Sequence, residues 1–144
     1  MRLRSILCGV DFSNASREAL RAAAALARAN GSRLIVLFAD DPMLVAAAKA
    51  AHDIRGSATS TAEALDRFIA DTVRPLPGKV RAMVTSGTAA DELLKAARRL
   101  DVDLVVVGTR GMGKVARLLL GSTADHVLRR ARVPVLAVPA GATS

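Results

Sequence analysis

The fold is decided by the stretch LVVVGTRGMGK, residues 104–114, in which an uninterrupted apolar run leads into a glycine-rich loop. Four consecutive aliphatic residues with no polar residue among them predict a strand that is buried on both faces. Strands of this kind are typical of parallel sheets whose two faces are covered by helices. The glycines that follow predict a connection whose backbone N–H groups can approach a ligand closely.

Four further apolar runs of strand length surround this stretch, at residues 4–10, 34–39, 80–85 and 133–138. Helical patterns separate them. One begins after Ser13, a predicted N-cap, and ends at Asn30 and Gly31, and the others cover about 61–73, 88–100 and 121–132. This alternation predicts an α/β fold, an open five-stranded parallel sheet with helices on both faces, Rossmann-like in class. For a sheet of this class we take the strand order to be 3-2-1-4-5, which is not readable from the sequence itself. No linker or repeat divides the chain, so residues 1–144 are expected to form a single domain.

Composition excludes several classes of protein. Half of the 144 residues are hydrophobic (51%) and only 24% are charged, which excludes intrinsic disorder. A single cysteine, Cys8, excludes a disulfide scaffold. Charged residues interrupt every apolar run before it reaches the length of a membrane span, and Asp11 ends the first run too early for a secretory signal. We therefore expect a cytoplasmic localisation with no membrane partner.

The net charge of +8, with arginine as the main cation, suggests an anionic ligand or a nucleic acid. The sequence has no Trp or Tyr and only three Phe, whereas single-stranded nucleic acids are usually bound on aromatic platforms. Arg17, Arg21 and Arg28 share one face of the first helix, which we interpret as a solvated face. A nucleic-acid partner is therefore not expected, and a steep salt dependence of DNA binding would be its signature.

Ligands of open α/β sheets bind outside the carboxyl ends of the strands, where the strand order reverses. Asp11 follows the first strand, and the glycine loop of residues 108–114 follows the fourth, so the two would face each other across one crevice. Gly121, Ser122 and Thr123 then open a helix, whose free N–H groups attract anions. The alternative, purely structural interpretation is that the glycines form a tight turn and Ser122 is only a helix cap.

Other catalytic and metal sites are not supported. Residues 108–114 fit the beginning of a phosphate-binding P-loop, but position 115 is Val where the motif needs Ser or Thr for magnesium. Neither His52 nor His126 has a second ligand residue at zinc-binding spacing. No Ser–His–Asp set or carboxylate pair is evident for hydrolysis, so no catalytic residues are assigned. We interpret Cys8 as a buried, unreactive thiol.

The spacing Gly108-x2-Gly111-x9-Gly121-Ser122 matches the G-2x-G-9x-G-(S/T) signature of the universal stress protein family. The segments GTRGMGKVARLLLGSTADHVLRRARVPVLAVP (108–139), ILCGVDFSNASREAL (6–20) and SGTAADEL (86–93) also resemble that family. The resemblance covers nearly the whole chain and is weakest over residues 40–77. It implies the family's adenine nucleotide alpha hydrolase-like fold and its ATP-binding branch, which is the branch that keeps the glycine signature.

The resemblance also implies a role for each matching residue. Asp11 would accept hydrogen bonds from the ribose hydroxyls, beside Gly9 and Val10, and Ala39 would contact the adenine. The loop would enclose the ribose and phosphates, and the start of the last helix would bind the phosphate tail. The residues of these two groups are Gly108, Thr109, Arg110, Gly111, Gly113 and Lys114, and Gly121, Ser122 and Thr123.

Two departures from the family pattern concern the adenine end, since Gly9 replaces a frequent proline and Phe38 replaces a frequent histidine. Family members commonly form homodimers through the last strand, here Val133 to Val138, which would otherwise be an exposed edge. Magnesium is expected with the phosphates, and Asp11 or Ser122 would be its protein ligand.

The resemblance therefore implies an ATP-binding universal stress protein that acts as a nucleotide-responsive regulator and is at most a slow ATPase. Two alternatives remain open. The cavity could take AMP or cyclic AMP in place of ATP. The chain could also be a nucleotide-independent interaction or chaperone-like protein whose glycine loop is only a turn.

Overall fold

The computed structural model describes residues 2–43, 58–109 and 120–141. In these ranges the strands are β1 (Ser5–Val10), β2 (Arg33–Asp40), β3 (Val80–Ser86), β4 (Leu104–Gly108) and β5 (Val135–Val138). The helices are α1 (Asn14–Asn30), α2 (Ala58–Thr72), α3 (Ala89–Arg99) and α4 (Ser122–Arg130).

The five strands form one parallel sheet of order β3-β2-β1-β4-β5, which confirms the predicted topology. Successive side chains of a strand point to opposite faces, and each face has its own hydrophobic core. Ile6 and Cys8 pack with α1 and α2 on one face. Leu7 packs with α3 and α4 on the other. The helices therefore cover both faces of the sheet, as predicted.

The caps of α1 are those that the sequence predicts. The Ser13 hydroxyl accepts a hydrogen bond from the Ser16 backbone N–H at 3.1 Å, which satisfies one of the free donors of the first turn. Gly31 ends the helix in the left-handed conformation (φ 64°), and its N–H donates to the carbonyl of Ala27. Local sequence alone thus fixes both ends of α1, and the start of the helix lies beside the switch point of the sheet.

Burial on both faces holds for the central strands but not for the edges. β1 and β4 are buried along nearly their whole length, and β2 is buried from Leu34 to Leu37. Residues of β3 are half-buried or exposed throughout, and β5 is buried at Val138 alone. The prediction of a last strand from Val133 was also wrong, because β5 begins at Val135. Pro134 has no N–H to donate, although its carbonyl accepts from the Val105 N–H at 3.0 Å.

The interpretation of the α1 arginines as a solvated face holds for Arg21 and Arg28, which are exposed, but was wrong for Arg17, which is half-buried. Arg17 donates to the Thr72 hydroxyl at 2.8 Å, and its guanidinium lies 4.6 Å from the centre of the Phe68 ring. Arg28 donates to the Pro75 carbonyl at 2.9 Å. These side chains hold α2 and the residues after it against α1, through charge-assisted and cation–π contacts.

The end of β4 lies unusually close to the start of α1. A Cβ atom built on Gly108 would be 2.6 Å from the carbonyl carbon and oxygen of Ala15 and 3.0 Å from the Ser16 nitrogen. All three are backbone atoms, which cannot rotate away as a side chain can. Packing therefore requires glycine at position 108, whatever the following loop binds.

We predict that Gly108→Ala lowers the free energy of unfolding by about 1–3 kcal/mol, the usual effect of overpacking. Gly78→Ala is the matched control, since its Cβ would meet nothing within 4 Å, and its effect should be within about 0.5 kcal/mol. Urea unfolding of both variants measures the difference. Equal urea midpoints for Gly108→Ala and Gly78→Ala would contradict the conclusion that packing requires glycine at position 108.

Burial raises the pKa of the Cys8 thiol from 9.0 to about 12. We predict that iodoacetamide does not modify the folded protein at pH 8 and reacts fully once urea unfolds it. Because the thiol ionises more easily in the unfolded chain, folding stability should fall as pH rises from 9.0 towards 12. Rapid labelling of the folded protein would contradict the assigned burial.

Candidate functional site

A cavity of about 920 Å³ lies at the carboxyl ends of β1, β2 and β4. The starts of α1, α3 and α4 form its remaining walls. It spans the point between β1 and β4 where the strand order reverses, which is where open α/β sheets place their ligands. Position and size both mark this cavity as the candidate site.

The structure brings eight of the thirteen predicted site residues together around this cavity. They come from chain segments that are far apart in sequence, namely the ends of three strands and the start of α4. The eight residues are Gly9, Val10, Asp11, Ala39, Gly108, Gly121, Ser122 and Thr123.

The other five predicted residues are placed differently. Thr109 is not among the lining residues, and its N–H donates to the Val138 carbonyl at 2.9 Å, which continues the pairing of β4 with β5. The remaining four, which the sequence predicts to enclose ribose and phosphate, lie outside the described residues. They are Arg110, Gly111, Gly113 and Lys114.

Asp11 is held in place by a small hydrogen-bond network at the start of α1. Its backbone N–H donates to the Ser16 hydroxyl at 3.2 Å, and one carboxylate oxygen accepts from the Ser13 N–H at 3.0 Å. The Ser16 hydroxyl also donates to the Ser13 carbonyl at 3.0 Å. The carboxylate is thus fixed at the wall of the cavity, and its chemistry is that of a hydrogen-bond acceptor.

An aromatic pair forms one side of the cavity. Phe12 has a left-handed backbone (φ 67°), which is rare for a bulky residue, and its ring stacks on Phe38 with 4.7 Å between centroids. The edge of Phe68 on α2 lies against Phe12, at 5.3 Å. All three aromatic residues of the chain therefore meet here, and two of them line the cavity.

The start of α4 presents to the cavity backbone donors that have no partner within the helix. Gly121 is its N-cap, with an extended backbone and no side-chain cap, and the first intrahelical bond runs from the Asp125 N–H to the Gly121 carbonyl. The N–H groups of the first turn have no intrahelical partner. Together with the positive end of the helix dipole, they favour an anion at this wall.

The start of α3 also lines the cavity, and the sequence reasoning missed it. Thr88 is the N-cap, and its hydroxyl donates to the Asp91 carboxylate at 3.0 Å. The signal was available, because β3 ends at Ser86 and a helix begins shortly after, the same strand-to-helix arrangement that identified Asp11.

Four charged or titratable residues on the wall were missed as well. Asp40 is the last residue of β2 and Asp41 follows it, so both lie at the carboxyl end of the strand, as Asp11 does for β1. His126 and Arg130 lie four and eight residues after Ser122, which places them on the same face of α4. Helical spacing could have identified this pair.

The departure at Gly9 has a packing explanation. A Cβ atom at this position would lie 2.7 and 2.9 Å from the two methyl carbons of Leu93, which is itself fully buried. Leu93 on α3 therefore occupies the space that a larger residue at position 9 would need.

Within the described ranges, no three His, Cys, Asp or Glu side chains are grouped closely enough to hold a metal ion. None of the described helices combines the length and the apolar character that crossing a membrane requires.

Comparison with known proteins agrees with this architecture. The chain matches the model of the "Universal stress protein family" over residues 2–139. A Thermus aquaticus relative, "Universal stress protein in QAH/OAS sulfhydrylase 3'region", is 36% identical over 143 residues, which cover 94% of this chain and 98% of the relative.

Two solved structures show the same fold. A universal stress protein in complex with cAMP superposes with a TM-score of 0.71 at 23% identity, covering 98% of this chain and 100% of its own. A universal stress protein from Archaeoglobus fulgidus in complex with dAMP gives a TM-score of 0.62 at 23% identity, covering 96% and 99%. The family model and the Thermus relative both span nearly the whole sequence, and this chain belongs to the universal stress protein family.

Proposed function

We propose that the cavity binds an adenine nucleotide, ATP with Mg²⁺, and that the protein is a nucleotide-responsive stress regulator with little or no hydrolysis. The observation that carries this proposal is the convergence of eight separately predicted residues on one cavity at the switch point of the sheet. Structures of two family members, bound to cAMP and to dAMP, support an adenine nucleotide as the ligand class.

The phosphate end of the nucleotide is assigned to the side of β4 and α4. The free N–H groups after Gly121 offer donors to phosphate oxygens, and Arg130 adds a cation on the same helix. Gly108 also lines this side of the cavity, and because it has no side chain a phosphate can approach its backbone closely. Asp11 or Ser122 would hold the Mg²⁺ that neutralises the phosphates, since oxygen is the ligand that Mg²⁺ prefers.

The nucleoside end is assigned to the side of β1 and β2. Asp11 is an acceptor suited to ribose hydroxyls, and its position is fixed by the network with Ser13 and Ser16. Ala39 and the stacked pair of Phe12 and Phe38 give this side an apolar surface suited to a base.

A second candidate ligand is AMP or cyclic AMP, and the cAMP and dAMP complexes of family members favour it. In that case a single phosphate would occupy the α4 wall. Competition among ATP, ADP, AMP and cyclic AMP for the same site distinguishes the two candidates.

We predict that protein shown by mass spectrometry to be free of nucleotide binds ATP–Mg²⁺ with micromolar affinity in a calorimetric titration. Gly121→Val should weaken binding at least tenfold, because it adds a branched side chain beside the N–H groups proposed to hold the phosphates, while the backbone (φ −63°) accepts any residue. Gly78→Val, in open space, is the matched control.

Absence of binding by folded, nucleotide-free wild-type protein would overturn the nucleotide proposal and favour the interaction-protein alternative. If Gly121→Val and Gly78→Val bind ATP with equal affinity, the assignment of the phosphates to the start of α4 is wrong.

We also propose a homodimer through β5. This strand is an edge of the sheet, and Leu136 on it and Leu128 on α4 are exposed by 37% and 41%. An exposed apolar edge strand is a surface that proteins usually cover, and a second copy can pair with it along a two-fold axis.

We predict that the wild-type protein has twice its 15.0 kDa monomer mass in light scattering and that Leu136→Asp reduces it to the monomer. Val84→Asp is the matched control, because Val84 is 42% exposed on β3, the opposite edge strand. A monomeric wild type, or dissociation caused by Val84→Asp alone, would contradict a β5 interface.

A further inference from the structure

A second cavity, of about 620 Å³, lies at the amino ends of the strands, away from the candidate nucleotide site at their carboxyl ends. Arg4 precedes β1, Arg33 begins β2 and Lys79 precedes β3, and all three line this cavity with Arg2 and the end of α1. The Arg33 N–H donates to the Arg4 carbonyl at 2.9 Å, and the Leu34 N–H donates to the Lys79 carbonyl at 2.8 Å. Three adjacent strand starts thus each contribute a cation. We call this the basic cleft.

Like charges are opposed directly across two strands of the basic cleft. β2 and β3 pair Leu34 with Val80 and Ile35 with Arg81, so Arg33 lies opposite Lys79 and on the same face as Arg81. All three cations are exposed. Like charges on neighbouring strands repel each other, and a bound anion removes that repulsion.

The described part of the chain supplies no counterion for these cations. Its four ion pairs join Arg21 to Glu18, Arg74 to Asp71, Lys95 to Glu92 and Arg129 to Asp125, all along single helices or their ends.

Asp103 is the acid at the neighbouring start of β4. Its carboxylate accepts from the main-chain N–H groups of Arg4 and Ser5, at 2.8 and 3.1 Å. It is therefore engaged by the backbone, and the basic cleft stays open to an external anion. A concave surface of one charge sign focuses its field on such an anion.

We propose that the basic cleft binds a linear anion of closely spaced phosphates, such as inorganic polyphosphate, independently of the nucleotide cavity. Neighbouring strands are about 4.8 Å apart, whereas side chains on one side of an extended peptide repeat at about 6.8 Å. Phosphates joined by single bridging oxygens are closer together than the strands, so several phosphates of one short chain fit within the span of the three strand starts. Guanidinium groups bind phosphate oxygens in pairs.

Recognition in the basic cleft rests on charge rather than on bases. The three aromatic residues of the sequence all meet near the carboxyl ends of the strands, so the basic cleft has no aromatic ring on which a base can stack. This favours polyphosphate over a single-stranded nucleic acid.

The test is a calorimetric titration with short-chain inorganic polyphosphate at several salt concentrations, without Mg²⁺. It uses the wild type, Arg33→Gln/Lys79→Gln and the charge-matched control Arg67→Gln/Arg132→Gln, whose residues are exposed on α2 and after α4. The cleft variant should bind at least tenfold more weakly than the control, and its slope of log affinity against log salt should be smaller by about two.

Thermal unfolding is the second measurement. Polyphosphate should raise the unfolding temperature of the wild type and the control but not that of the cleft variant. Equal binding by the two variants would overturn the proposal, and so would tighter binding of duplex DNA or polyglutamate than of polyphosphate at equal charge concentration. Because ATP binding is measured separately, failure of the nucleotide proposal does not affect this result.

Discussion

The contact between the end of β4 and the first turn of α1 sets the geometry of the candidate site. Gly108 brings the two backbones so close that a single Cβ would collide with Ala15. This contact fixes α1 over the crevice between β1 and β4. The network of Asp11, Ser13 and Ser16 at the start of α1 therefore faces the cavity. A larger residue at 108 would displace the helix that positions Asp11.

The parallel arrangement also separates charge between the two edges of the sheet. Helix starts gather where the strands end, and helix ends gather where the strands begin. Acidic residues lie in the first turns of α3 and α4, and arginines lie in the last turns of α1, α3 and α4, as the helix dipole favours. Arg130 of α4 is the exception in position, since it lines the larger cavity. The two cavities differ in charge accordingly: carboxylates line the larger cavity, and among the described residues none lines the basic cleft.

Local signals predicted the central part of the fold well. The buried runs of β1, β2 and β4 and the caps of α1 are properties of a few consecutive residues. The strand order was taken from the fold class, the switch point was placed from that order, and the structure confirms the order. The beginning of β5 was misplaced because Val133 continues the apolar pattern, whereas Pro134 cannot donate to the ladder. The apolar pattern predicts a strand from Val133, whereas backbone hydrogen bonding allows one only after Pro134, and the hydrogen bonds determine where β5 begins.

The missed features depend on residues that are distant in sequence. Phe12 contacts both Phe38 and Phe68 only because β1, β2 and α2 come together in the fold. The contact of Arg17 with Thr72 likewise joins positions 55 residues apart, so helix periodicity could not show it. Asp91 was predicted at a helix start, but its place on the cavity wall follows from the packing of α3 against β1 and β2.

The carboxylates of the larger cavity constrain how a nucleotide can lie in it. Asp40 and Asp41 are on the β2 side, whereas α4, with its free N–H groups and Arg130, packs on the side of β5. Phosphates placed near β2 would meet like charge, so the proposed orientation, with the nucleoside near β2 and the phosphates near α4, is the one electrostatics favours. A triphosphate brings more negative charge into this wall than a cyclic monophosphate does, and it therefore depends more on Mg²⁺. The dependence of binding affinity on Mg²⁺ should therefore be strong for ATP and weak for cyclic AMP, and it distinguishes the two candidate ligands of the site.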